Sequence, residues 1–240
     1  MNFFDRSILE LFNRFSQKSW TFDHAVYLLT ETELLKGGVL VAILWAFWFT
    51  RDTEGALAET RRTIIATFAG TFIALFLGIV LENTLPFRFR PFHQPDFHFR
   101  LPFGITRDIL EGWSSFPSDH ATLFSGLVTG IFLVSRRIGF LSGFYVFLVV
   151  LIPRIYLGFH YPTDILGGAF IGCACVLSTN GSRIKKPLTD PVYEWSERYP
   201  GLFYGLFFLV SYQTVDLFDD IRELAKFLLR VAMLVVHRIS

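Results

Sequence analysis

Three short stretches of this chain hold residue types suited to gripping and attacking an anion. "RFRPF" carries Arg88 and Arg90, "FPSDH" carries Ser118, Asp119 and His120, and "PRIYLGFHYPTD" carries Arg154, His160 and Asp164. Arginine forks bind phosphate oxygens bidentately. A helix beginning near Ser118 would point free backbone N–H groups at an anion. A histidine with a carboxylate one helical turn away, as His160 and Asp164 are, is an oriented imidazole fit to act as nucleophile or base. Pro162 suits the first turn of a helix, which would set His160 just before that helix and Asp164 just inside it.

The same stretches stand at the mouths of apolar runs, where ionisable groups are costly and mark function or a partner. Six runs read as spans, at 34–50, 63–81, 118–135, 138–156, 163–179 and 201–215, the last being the weakest. Several fall short of the roughly 20 residues that cross a bilayer, so some ends must lie among headgroups or in a polar cavity. Lys36 can snorkel from near one end of the first run. Alternation then places the end of the second, the start of the third, the end of the fourth and the start of the fifth on one side. The opposite loops hold Arg51, Arg61, Arg62, Arg136, Arg137, Arg183, Lys185 and Lys186. By the positive-inside rule those loops are cytoplasmic, and the anion-handling residues face outward.

Bulk composition points the same way. The 240 residues are 52% hydrophobic and 18% aromatic, with 29 Phe and only 18% charged, against about a quarter charged in a soluble domain. The expected fold is therefore all-α, a polytopic membrane bundle of about six transmembrane helices. A net charge of +1 with no basic tract gives no sign of a nucleic-acid partner. Cys173 and Cys175, two apart in an apolar run, suit neither a disulfide nor a metal site and read as small hydrophobes. Charges within "MNFFDRSILELFNRF" argue against a cleavable signal.

Both ends of the chain look amphipathic. Phe4, Ile8, Leu11 and Phe15 share a stripe, with Asp5, Arg6, Glu10 and Arg14 elsewhere. Leu224, Phe227, Leu228, Val231 and Val235 repeat the pattern beside Arg222, Lys226 and Arg230. Such faces suit helices lying in the membrane surface. They would serve equally to pack on the bundle or on a second subunit, which leaves a homo-oligomer open. The expected organisation is interfacial helices over 1–32 and a membrane core over 33–180. A cytoplasmic loop, a candidate sixth span and an amphipathic helix would then occupy 181–240.

The motifs resemble those of the type 2 phosphatidic acid phosphatase superfamily of lipid phosphate phosphatases. That family's pattern is K-x6-R-P, then P-S-G-H, then S-R-x5-H-x3-D. Here it reads Asn83-x6-Arg90-Pro91, Pro117-Ser118-Asp119-His120 and Pro153-Arg154-x5-His160-x3-Asp164, over roughly residues 60 to 180. The resemblance implies that His160 attacks phosphorus, that Asp164 holds its ring and tautomer, and that His120 protonates the leaving oxygen and then activates water. Arg90, Arg154 and Ser118 would cradle the phosphoryl oxygens. It implies no metal and no other cofactor.

Three positions depart from the pattern. Asn83 stands for the lysine, and Arg88 could take over that role if its loop turns it inward. Pro153 stands for a serine. Asp119 stands for a glycine, beside an anion pocket, as is common in the family's bacterial isoprenoid-diphosphate branch; the sequence supplies no role for it.

Other polar residues read more plainly. His93, Asp96 and His98 in "HQPDFH" suit a solvated loop better than a metal site. Trp45 and Trp113 suit packing or the interface, and "RIKKPL" a basic cytoplasmic loop.

The resemblance implies an enzyme of the bacterial inner membrane. It would hydrolyse a lipid phosphate or diphosphate, best undecaprenyl diphosphate, through a phosphohistidine at the outer face, the tail entering laterally between helices. Alternatives are a phosphatidylglycerophosphate or phosphatidate phosphatase and a lipid-to-lipid phosphotransferase using the same intermediate. A non-catalytic lipid-phosphate binder is suggested by Asn83 but opposed by the presence of His120, His160 and Asp164.

Overall fold

The structure, a computed structural model, describes residues 1–50 and 53–217. Among these the regular elements are helical: α1 (Phe3–Asn13), α2 (Trp20–Glu31), α3 (Val39–Trp48), α4 (Glu54–Thr84), α5 (Asp119–Val134), α6 (Arg136–Val146), α7 (Ile152–Tyr156), α8 (Pro162–Thr179), α9 (Lys185–Arg198) and α10 (Pro200–Val215). A π-helical turn, Phe147–Leu151, joins α6 to α7, and another, Leu34–Gly38, leads into α3. Among the described residues, three helices are long and apolar enough to cross a membrane: Glu54–Thr84, Arg136–Tyr156 and Pro162–Thr179. Leu34–Trp48 and Asp119–Val134 are shorter apolar helices. The chain is an all-α membrane helix bundle. The weakest of the expected runs is α10, a helix of 16 residues. The amphipathic stretch expected around Leu224 to Val235, and Arg51, lie outside the described residues.

Two expectations about the flanks change. The "RIKKPL" stretch is not a loop, because from Lys185 it forms α9, strapped to the start of α4 by ion pairs. Lys185 meets Glu59 at 2.6 Å, Arg62 meets Asp190 at 2.6 Å and Arg61 meets Glu197 at 2.8 Å. Those partners also explain why α4 begins well before the apolar run at 63, since its polar first turns are matched by α9. At the other end, α1 leaves Phe3, Phe4, Leu11 and Phe15 exposed and buries Asp5 and Leu9. The apolar stripe is thus uncovered by the bundle, while an acid points inward.

Helices α4, α5 and α8 form the tightest packing, and small residues allow it. A Cβ on Gly172 would lie 2.1 Å from the Thr122 carbonyl oxygen, and one on Gly168 2.4 Å from that of Ser118. Gly126 and Gly130 of α5 make room instead for the side chains of Thr71 and Thr67 of α4. Where lipid tails remove most of the hydrophobic drive between helices, close backbone approach by small residues supplies the attraction. The hydroxyls on this seam are satisfied within α4, Thr67 donating to the Thr63 carbonyl at 2.7 Å and Thr71 to that of Thr67 at 2.8 Å. Because α5 begins and α8 begins at the same end, this clamp sets their first residues against each other. Ser118 donates its backbone N–H to the Asp164 carbonyl at 3.2 Å.

Gly172→Ala tests the clamp. In an exposed helix the change would stabilise by about 1 kcal/mol through propensity. Here the new methyl meets backbone that cannot yield. The expected outcome is a destabilisation of about 1–3 kcal/mol, read as a lower thermal midpoint of the purified protein in detergent.

Candidate active site

The turn between α7 and α8 is built to return the chain sharply. Gly158 has φ +74°, the left-handed conformation that glycine adopts past a helix C-terminus. A side chain there would meet the Phe99 ring within 2.7 Å. The reversal lets Phe159 and His160 donate their backbone N–H groups to the Arg154 carbonyl at 3.0 and 3.3 Å. Pro162 then opens α8 in its first turn, and the Asp164 carboxylate reaches back to the Tyr161 N–H at 2.8 Å. His160 and Asp164 therefore fall before and inside the helix as their spacing predicts.

His160 is buried, and both ring nitrogens have partners. Nδ1 lies 2.9 Å from the Ser115 carbonyl oxygen, and Nε2 lies 3.3 Å from Nη1 of Arg90. A carbonyl only accepts and a guanidinium only donates, so Nδ1 carries the proton and Nε2 the lone pair. Burial holds this imidazole well below its ordinary pKa, and Arg90 pushes in the same direction. The ring is a neutral base with its free nitrogen toward a cation.

The expected direct bond from Asp164 to His160 is replaced by a relay. Asp164 Oδ2 stands 4.0 Å from Nδ1 and accepts instead from the Ser115 hydroxyl at 2.6 Å. Ser115 thus holds Asp164 through its side chain and His160 through its backbone. It lies outside the motif residues, and its only sequence signal is its place just before "FPSDH".

His120 repeats the arrangement on α5. Its Nδ1 is 2.9 Å from Asp119 Oδ1 and its Nε2 contacts Nη2 of Arg154, so the lone pair again faces an arginine. Asp119, without a role in the sequence, is the partner that sets the His120 tautomer. Asp119 Oδ1 also accepts the His120 backbone N–H at 2.8 Å. Ser118 is fully buried and caps the helix, accepting from the Ala121 N–H at 3.3 Å. The first turn of α5 is therefore capped by its own side chains. The expected free N–H groups at the helix start are largely spoken for, because Asp119 and Ser118 compete for them.

The arginines divide into two kinds. Arg90 and Arg154 are buried, and neither forms a salt bridge among the described residues. Arg90 spends Nη1 on the Phe159 carbonyl at 2.9 Å and Nη2 on that of Ser114 at 3.3 Å, while its buried Nε has no partner in the described residues. Arg88 instead pairs with Asp164 and, at 2.8 Å, with Asp5, and lies 4.2 Å from the Tyr161 ring centroid. Its charge is committed to carboxylates, so it does not take over the missing motif lysine. Nor does Asn83, which is exposed at the last turn of α4 and donates to the Ile79 carbonyl at 2.7 Å.

Beside the site a cavity of about 730 Å³ opens between α4 and α5. Its walls are mainly apolar, with Phe72, Leu75, Ile79 and Trp113 among them, and Asn83 and Asp119 are its neighbours at the site end. Among the described residues no group of three His, Cys, Asp or Glu is placed to hold a metal ion. His93 of the "HQPDFH" loop is tied to the Arg107 carbonyl at 2.6 Å.

Comparison with known proteins places the chain in a family. The PAP2 superfamily profile matches residues 59–185, which hold both histidines, Arg90, Arg154 and Asp164. The chain is 31% identical over 152 residues to the bacitracin transport permease protein BcrC of Bacillus licheniformis, covering 63% of this chain and 67% of that one. It is 25% identical over 171 residues to the undecaprenyl-diphosphatase BcrC of Bacillus subtilis, covering 68% and 76%. It is 31% identical over 125 residues to the decaprenylphosphoryl-5-phosphoribose phosphatase of Mycolicibacterium smegmatis, covering 51% and 63%. No solved structure matches the chain. The profile match covers more than half of the sequence, and the chain belongs to the PAP2 superfamily.

Proposed function

We propose that this protein is a bacterial membrane phosphatase that removes the terminal phosphate of a polyprenyl diphosphate of the undecaprenyl class, through a phosphohistidine on His160. The observation that carries the reading is the state of that ring. Nδ1–H is fixed on the Ser115 carbonyl, which leaves the lone pair on Nε2, facing Arg90. Relatives named for undecaprenyl diphosphate and for a decaprenyl-linked phosphate support the lipid class. The apolar cavity of about 730 Å³ beside Asp119 has room for the proximal part of a prenyl tail.

The reaction runs in two displacements. The incoming phosphate draws Arg90 and Arg154 off the two Nε2 atoms that they face. Their N–H groups, with the unused Nε of Arg90, neutralise the phosphoryl oxygens. Released from Arg154, His120 takes a proton from solvent on Nε2, its cation stabilised by Asp119. His160 Nε2 attacks phosphorus, the bond to the bridging oxygen breaks, and His120 gives that oxygen its proton. His120 then removes a proton from water as the water attacks phosphorus and the P–N bond breaks, giving inorganic phosphate. In this reading no step needs a metal. The site faces outward in this reading, because the basic residues Arg61, Arg62, Arg136, Arg137, Arg183, Lys185 and Lys186 cluster in the helix ends and connections of the opposite side.

Purified protein in detergent should release phosphate from undecaprenyl diphosphate with EDTA present, leaving the lipid monophosphate as product. His160→Ala should lower the rate at least about a thousandfold, and His120→Ala about a hundredfold or more. Activity abolished by EDTA, or retained in His160→Ala, would contradict the mechanism.

The pH profile gives a second check. A group held below its ordinary pKa stays neutral to more acid pH. The acid limb of kcat/KM, once corrected for substrate ionisation, should then lie below the ~6.5 of an unperturbed imidazole. The sign also reaches stability. Native His160 binds fewer protons than the unfolded chain, so its contribution weakens as pH falls through the unfolded value. A limb at or above ~6.5 would show that the ring is not held as described.

A further inference from the structure

Helix α1 lies wholly outside the residues that the family profile matches, 59–185. Yet its Asp5 is fully buried at the catalytic end of the bundle. Oδ1 accepts the backbone N–H of Thr163 at 2.9 Å, in the first turn of α8. Oδ2 accepts from the Thr163 hydroxyl at 2.7 Å, from Arg88 Nη2 at 2.8 Å and from the Asn2 amide at 2.9 Å. A carboxylate from one helix thus caps the N-terminus of another and holds one arm of an arginine, whose other arm holds Asp164.

Burying such a charge is expensive unless its lone pairs are used and a cation stands beside it. Here both conditions are met, and the partners form one chain of contacts. Asp5 fixes Arg88 and Thr163, and Arg88 fixes Asp164 Oδ1. Asp164 Oδ2 holds the Ser115 hydroxyl at 2.6 Å, and the Ser115 carbonyl holds His160 Nδ1 at 2.9 Å. Every link is a donor set against an acceptor, and the chain ends on the tautomer that frees Nε2.

We propose that Asp5 is a positioning residue for His160, acting through Arg88 and Asp164, so that docking of the N-terminal helix α1 completes the active site. The inference rests on the phosphatase reading above. Asp5 touches no reacting atom, so its loss acts on the rate of attack more than on the capture of substrate, which Arg90 and Arg154 govern. Outer partners of this kind are worth about tenfold to a hundredfold where they orient a functional histidine.

The test is steady-state hydrolysis of undecaprenyl diphosphate in detergent by the full chain, with kcat taken per folded protein. Asp5→Ala and Asp5→Asn should lower kcat by about tenfold to a hundredfold while KM changes less than about twofold. The charge-conserving Asp5→Glu should recover most of the loss. In an Arg88→Met background, adding Asp5→Ala should lower kcat by clearly less than it does in the wild-type background, because the Arg88 link to Asp164 is already cut and the Thr163 contacts are what remains to lose. If Asp5→Ala does not fold, Asp5→Asn, which keeps an oxygen for the Thr163 N–H, carries the same comparison. An unchanged kcat, a loss confined to KM, or losses that multiply in the double variant would overturn the inference while leaving the phosphatase reading intact. A wild-type protein that releases no phosphate would overturn that reading and this inference with it.

Discussion

A carboxylate buried between apolar helices has to be satisfied from every side, and Asp164 is the point at which this protein meets that demand. One oxygen takes Arg88, and the other takes the Ser115 hydroxyl and the Tyr161 N–H. Three separate segments are thereby fastened together: the start of the loop after α4, the stretch before α5 and the start of α8. Unpairing any one would leave a donor or a charge buried without a partner, which costs more than the bond itself contributes. Asp164 is thus first a fastening and only through Ser115 an orienter of His160.

The fastening works because the helices that bring those segments together cannot slide. Gly168 and Gly172 of α8 meet backbone of α5, and Gly126 and Gly130 of α5 meet threonines of α4. Contact at backbone distance fixes the axial register of helices better than flexible side chains do. Register decides whether Ser118 N–H reaches the Asp164 carbonyl and whether His120 and His160 stand at one end. Arg90 and Arg154 each stand against an imidazole nitrogen. The same contacts are those that an arriving phosphate would replace.

Much of this was legible in the sequence, for identifiable physical reasons. Long apolar runs and the R-x5-H-x3-D spacing are local patterns, so α4, α6 to α8 and the placement of His160 and Asp164 about one helix start could be read directly. Ser115 and Asp5 could not. Ser115 contributes a backbone carbonyl, which any residue offers, and Asp5 sits 158 positions from Thr163 on a helix whose exposed stripe draws the eye. Arg88 looked like a spare cation because nothing local shows that two carboxylates await it. Asp119 gained its role only when α5 formed and brought its own carboxylate beside the next residue's ring. The charges of "RIKKPL" suggested a loop because their partners, Glu59 and the first turns of α4, are remote in sequence.

The central claim is that His160 Nε2 is the nitrogen that takes the phosphate. The most direct measurement is to quench the enzyme during turnover of terminally labelled undecaprenyl diphosphate, digest it under alkaline conditions and locate the label by mass spectrometry. The expected result is an acid-labile phosphate on the peptide containing His160, as the Nε2 isomer. Label on His120, on Nδ1 of His160, or no covalent label while phosphate is being released would contradict it.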